Sequence, residues 1–120
     1  MYKHSFEKLE VWNDAVDLVE LIYKLTEGFP DSEKFGLVSQ MKRCSISISS
    51  NLAEGTSRNS KKDKAHFSNI AFSSCMELLN QLIISFRLNF IVEKQYLEIR
   101  NQIMKVSNKV NALRKSQLNN

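Results

Sequence analysis

Apolar residues recur at steps of three and four along this chain, in four blocks set apart by short polar or helix-breaking segments. The first block runs over about 7–27. Leu9, Trp12, Val16, Val19 and Tyr23 form its stripe, broadened by Ala15, Leu18, Ile22 and Leu25, with Gly28 and Pro30 placed to stop it. The second, about 32–54, carries Val38, Met41, Ser45, Ile48 and Leu52, flanked by Leu37 and Cys44. Asp31 or Ser32 can cap it and Gly55 is its natural stop. The third, about 60–90, opens on the capping sequence Ser60-Lys61-Lys62-Asp63 and carries Phe67, Ala71, Ser74, Leu78, Leu82 and Phe86. A break near Ile91–Glu93, without glycine or proline, leads to the fourth, about 94–116, with Tyr96, Ile99, Ile103, Val106, Val110 and Leu113 in a/d rhythm; Gln117 to Asn120 are expected to fray. Short connections force successive helices to run antiparallel. The expectation is an all-α, up-down-up-down four-helix bundle in one domain, 1–120.

Composition agrees. Three glycines and one proline are too few for a strand-rich fold with its frequent turns. The longest charge-free apolar stretch, Leu78 to Phe86, falls well short of the ~20 residues of a membrane span, and the N-terminus has no apolar signal region. Cys44 and Cys75 lack pairing or metal-type spacing and read as buried thiols in a reducing compartment, which makes the cytoplasm the default location. The net charge of +4 is unevenly spread: Met1–Asp31 holds three basic and seven acidic residues, whereas Glu93 to the end holds six and two. Packing of the acidic first helix beside the basic fourth accounts for this without a ligand, and an anionic partner accounts for it equally.

The second helix carries one unusual face. With Met41 at zero and ~100° per residue, the core stripe clusters near zero, and Arg43, Ser47, Ser50, Asn51, Glu54 and Arg58 cluster opposite. The run Ser45-Ile46-Ser47-Ile48-Ser49-Ser50 is a poor intrinsic helix former, because serine hydroxyls compete for backbone groups. One reading is a solvated polar face. The other is a subunit interface, where serines allow close approach and the longer side chains make directional polar contacts, with Ile46 and Ala53 lying off the core stripe. Beyond it, Arg58, Lys61, Lys62, Lys64 and His66 crowd a loop and a helix start, the chemistry that phosphate contacts use. Lys105, Lys109, Arg114 and Lys115 of the last helix are further candidates.

Catalysis finds no motif. His4 and His66 have no cysteine or carboxylate at ligand spacing, no Glu-x-x-His repeat appears, and no glycine-rich phosphate loop, nucleophile elbow or zinc motif is present. Trp12 and Tyr23 read as packing residues. Neither an enzymatic activity nor a cofactor or metal is expected.

Several segments carry a family resemblance: Phe6-Glu7-Lys8-Leu9-Glu10-Val11-Trp12, Ile22-Tyr23-Lys24-Leu25-Thr26, Phe29-Pro30, Glu33-Lys34-Phe35-Gly36-Leu37 and Gln40-Met41-Lys42-Arg43. With them go Ser45 to Gly55, ending in Asn51-Leu52-Ala53-Glu54-Gly55, then Arg58 and the segment from Phe67 to Leu78. Over roughly the first ninety residues the chain resembles the four-helix-bundle proteins encoded by intervening sequences of bacterial 23S rRNA genes. The resemblance implies assembly as a homopentameric ring. It also implies similarity to the accessory variability proteins of diversity-generating retroelements, whose basic pentamers bind RNA and a reverse transcriptase. Two functions follow as expectations: a non-enzymatic oligomer that binds structured RNA, or an interaction scaffold whose partner is another protein.

Overall fold

The computed structural model describes residues 1–119. It contains helices α1 (Glu10–Thr26), α2 (Leu37–Thr56), α3 (Lys61–Arg87) and α4 (Glu93–Asn119), with 3-10 turns at Ser5–Lys8 and Asp31–Glu33, and no strand among the described residues. Each helix packs on its chain neighbours, and α4 closes back on α1. This is the all-α antiparallel four-helix bundle.

Local chemistry sets the boundaries, and several differ from the sequence expectation. The His4 N–H donates to Glu7 Oε1 at 3.0 Å, tightening residues 5–8 into a 3-10 turn, so α1 starts at Glu10 instead of residue 7. Asp31 and Ser32 do not cap α2. They belong to the second 3-10 turn, in which the Glu33 N–H donates to the Pro30 carbonyl at 2.9 Å, and α2 begins only after Gly36. Gly55 is not a stop signal either, since α2 runs through it to Thr56. At α3 the expected cap is present: Ser60 Oγ accepts from the Asp63 N–H at 3.0 Å.

The break between α3 and α4 is made by Asn89, whose φ of 63° is left-handed. The Phe90 N–H donates to the Ser85 carbonyl at 2.9 Å and the Asn89 N–H to the Phe86 carbonyl at 3.0 Å. That is the bond pattern of a Schellman cap, with asparagine in the usual place of glycine. Phe90 then tucks its ring beside Phe29, 5.5 Å between centroids. The α4 helix runs to Asn119, past the expected end near residue 116, and Ser68 Oγ donates to Gln117 Oε1 at 2.7 Å. Asn120 lies outside the described residues.

A single core cluster joins all four helices, with Leu18, Ile22, Met41, Ile48, Leu78, Leu82, Ile103, Val106 and Val110 fully buried. In α1 the buried stripe is Val11, Ala15, Leu18, Ile22 and Leu25. The stripe read from sequence through Trp12, Val16, Val19 and Tyr23 is rotated one residue round, towards α2. Val16 and Val19 are only half-buried, and Tyr23 is 40% exposed beneath the Lys42 ammonium, 4.6 Å from its ring centroid. Apolar residues cover more than half of this helix, and one bundle can bury only one side of it.

Candidate nucleic-acid and assembly surfaces

The antiparallel topology places the start of α3 and the end of α4 at one end of the bundle, and the Ser68–Gln117 bond ties them together. Lys61, Lys62 and Lys64 in the first turn of α3 and Lys115 near the end of α4 form no ion pair among the described residues. His66 is exposed, with its ring edge-on to Phe67, and Arg114 donates to Asn111 Oδ1 at 2.9 Å. Arg58 is held more firmly. Its guanidinium lies 2.5 Å from Glu54 Oε1 and 4.6 Å above the Phe67 ring, so it braces the α2–α3 corner.

Lys105 and Lys109 are engaged elsewhere. Lys109 Nζ lies 2.6 Å from both Glu10 Oε1 and Asp14 Oδ2, and Lys105 Nζ lies 3.5 Å from Asp14 Oδ1. The acidic first helix is therefore clasped to the basic fourth, which absorbs part of the charge asymmetry inside the chain. Burial alone pushes the Asp14 carboxyl up, but the Lys109 hydrogen bond and the charges of Lys109 and Lys105 outweigh it and hold Asp14 below its ordinary 3.8. Hydrogen bonds to Asp14 and Glu10 push the Lys109 ammonium above its ordinary 10.5. A depressed carboxyl stabilises the fold above its unfolded value, and that contribution is lost as pH falls through the folded one. Asp14→Asn is expected to cost about 1–2 kcal/mol near neutrality, between the values for exposed and for broken buried pairs. In urea melts, the gap between wild type and variant should close as pH drops below 3.8. A gap that persists unchanged at low pH would contradict the clasp.

The polar face of α2 divides into three. Ser47 and Asn51 do not point away from the bundle: Ser47 Oγ bonds Ser74 Oγ at 3.0 Å, and Asn51 Nδ2 donates to the Ser47 carbonyl at 2.8 Å and to its hydroxyl at 3.1 Å. Both lie on the flank that packs on α3, where Cys44 Sγ also donates to the Ser74 carbonyl at 3.0 Å. Arg43, with Phe35, Ser39, Gln40, Ser47 and Glu77, lines an open groove of about 470 Å³ between α2 and α3. Ser50 and Glu54 remain exposed, with the N-terminal turn around Ser5 and Phe6 beside them.

The two thiols are packing groups. Desolvation, reinforced at Cys44 by the Glu77 carboxylate, pushes both up to about 12, so they stay protonated and poorly nucleophilic near neutrality. Among the described residues no three His, Cys, Asp or Glu side chains converge as a metal site would need, and no helix is long and apolar enough to cross a membrane. Sequence reasoning missed two features. Phe35 is 89% exposed, signalled only by an aromatic residue standing outside every stripe; Gln81 Oε1 is buried without a hydrogen-bond partner among the described residues, which no pattern announces.

Fold and surfaces together define a helical-bundle protein with one cationic end, an acid–base clasp along α1 and α4, and a serine-lined seam between α2 and α3. The 23S rRNA-intervening sequence protein family model matches residues 7–112, and the chain belongs to that family. No match is found among curated proteins. Among solved structures, the chain is similar to a protein of unknown function from the S23 ribosomal protein family of Bacteroides thetaiotaomicron VPI-5482. The two are 24% identical, with 88% of this chain and 95% of the other covered and a TM-score of 0.81, a likeness of fold.

Proposed function

We propose that this protein is a non-enzymatic, cytoplasmic homo-oligomer that binds structured RNA through the phosphate backbone, using the cationic end of the bundle. One observation carries the reading: Lys61, Lys62, Lys64 and Lys115 gather where α3 begins and α4 ends, free of carboxylate partners among the described residues. An RNA strand there meets mobile ammonium groups and the open amides of a helix start. Lys105 and Lys109 drop out of the contact set because Glu10 and Asp14 already neutralise them.

One bundle end offers few charges, so useful affinity requires several copies acting on one polyanion. The pentameric ring implied by the family resemblance, and the suggested kinship with the accessory variability proteins, supply that multiplicity within this proposal. Sedimentation of the wild-type chain tests assembly, and a monomer at micromolar concentration would remove the ring. Filter binding to a structured RNA tests the ligand: affinity should fall steeply between ~50 and ~200 mM salt. No binding at low salt would reject the RNA reading and leave the protein-scaffold alternative.

A further inference from the structure

The groove between α2 and α3 holds chemistry that the cationic end of the bundle lacks. Its inner groups are already bonded: Cys44 Sγ donates to the Ser74 carbonyl and Ser47 Oγ bonds Ser74 Oγ. Its outer groups differ. Arg43 of α2 and Glu77 of α3 both line the groove and are both exposed, yet neither forms an ion pair among the described residues. Phe35, in the connection ahead of α2, adds an exposed aromatic ring to the same lining, with the Lys34 ammonium 5.6 Å from its centroid. A lone phenylalanine on a surface is ordinary. Here the ring shares one open space of about 470 Å³ with an unpaired guanidinium and an unpaired carboxylate, a volume within the range of small-molecule sites.

With one positive and one negative side chain in its lining, the groove has no net charge, so phosphate alone gains little from it. It suits a ligand that combines an anionic group, a flat face for stacking and paired donors for a carboxylate. Any nucleotide supplies the first two, and the carboxylate selects among the bases. Guanine alone presents two adjacent donors, N1–H and N2–H, on its Watson–Crick edge, and these match the two oxygens of a carboxylate. Adenine, cytosine and uracil each set an acceptor beside their donor, which a carboxylate repels. Gln40, in the same lining, offers an amide donor for the guanine O6. We infer that the groove takes an unpaired guanine of a bound RNA, stacked on Phe35, with its donor edge on Glu77 and a flanking phosphate on Arg43. His66 and Glu77 stand eleven residues apart on one side of α3, three turns or ~16 Å along its axis, so a strand held at the start of α3 can reach the groove. This inference rests on the RNA-binding reading and adds base selection to it.

Exchanging one base in the RNA tests this on the wild-type chain, where no variant has to fold. Three hairpins differ only in one loop nucleotide, guanosine, inosine or adenosine, with uridine in the rest of each loop. Inosine keeps N1–H and O6 and lacks only the N2 amino group. In fluorescence anisotropy at ~50 mM salt, the guanosine hairpin is expected to bind about tenfold more tightly than the inosine one, the scale of a hydrogen bond to a charged group. The adenosine hairpin should bind more weakly still. Glu77→Ala, checked for helicity by circular dichroism, should lower affinity for the guanosine hairpin about tenfold and remove its advantage over inosine. Phe35→Ala, at an exposed position, should weaken the guanosine hairpin about tenfold through lost stacking. Equal wild-type affinity for all three hairpins overturns the guanine site and leaves binding through the α3 lysines in place. So does a Glu77→Ala variant that strengthens all three alike, as removing a repelling charge would. No binding to any hairpin at low salt would remove the RNA reading and this site with it.

Discussion

Replacing Lys61, Lys62 and Lys64 together by alanine is expected to weaken binding to a structured RNA about 10²–10³-fold at ~0.1 M salt, since each phosphate neutralised contributes roughly a factor of ten there. All three lie in the first turn of α3, where Ser60 already caps the helix, so their loss should leave the fold intact. The salt dependence carries the same information independently. The slope of log affinity against log salt should shrink by roughly two to three units if all three contact phosphate. Lys105→Ala with Lys109→Ala provides the contrast. Those lysines are occupied by Asp14 and Glu10, so the pair should lower thermal stability while changing RNA affinity much less than the α3 triple. Equal losses from both sets would mean that net charge, and not the bundle end, governs binding.

That contrast could not be drawn from sequence. Periodicity located all four helices because each buries a stripe long enough to outweigh local irregularity, and the short connections left one topology. Periodicity was weakest where more than one rotation of a helix looked apolar. In α1, Trp12, Val16, Val19 and Tyr23 compete with Val11, Ala15, Leu18, Ile22 and Leu25, and only packing against α2 and α4 decides which side goes inward. The serine-rich face of α2 was only partly legible for a related reason. Ser47 and Asn51 fall far from Met41 on a helical wheel, but α3 packs on that flank as well, so a polar position there is a hydrogen-bonding position inside the chain. Boundaries made by backbone conformation, such as the left-handed Asn89, leave even less trace in composition.

The basic cluster was legible because Arg58, Lys61, Lys62, Lys64 and His66 are adjacent in sequence. Which cations are available was not legible, because pairing is set across 95 residues of chain between Asp14 and Lys109. The structure divides the candidates by what surrounds each of them: lysines at the bundle end with no ion pair among the described residues, lysines of the clasp with carboxylates, and an arginine at the corner held between Glu54 and Phe67.

That corner carries the largest expected stability effect. Gly55→Leu should destabilise the chain by about 3 kcal/mol, at the upper end for overpacking, and lower the melting temperature by roughly 10 °C. A Cβ at residue 55 would stand 3.1 Å from Phe67 Cβ and 3.6 Å from the Lys64 carbonyl oxygen. Phe67 Cβ is the root of its side chain and cannot swing aside, so α2 and α3 would have to separate at this corner. Gly55→Ala sets two terms against each other: alanine gains about 1 kcal/mol of helix propensity, and the tight contact returns much of it, so the net change should be near zero. Steep loss with leucine beside near-neutrality with alanine would identify close helix approach as the reason for glycine here. A stable leucine variant would instead mean that the corner opens freely. In that case the Arg58 brace over Phe67 would not hold the two helices together, and the lysine-bearing start of α3 would lack the fixed position that phosphate binding at this end requires.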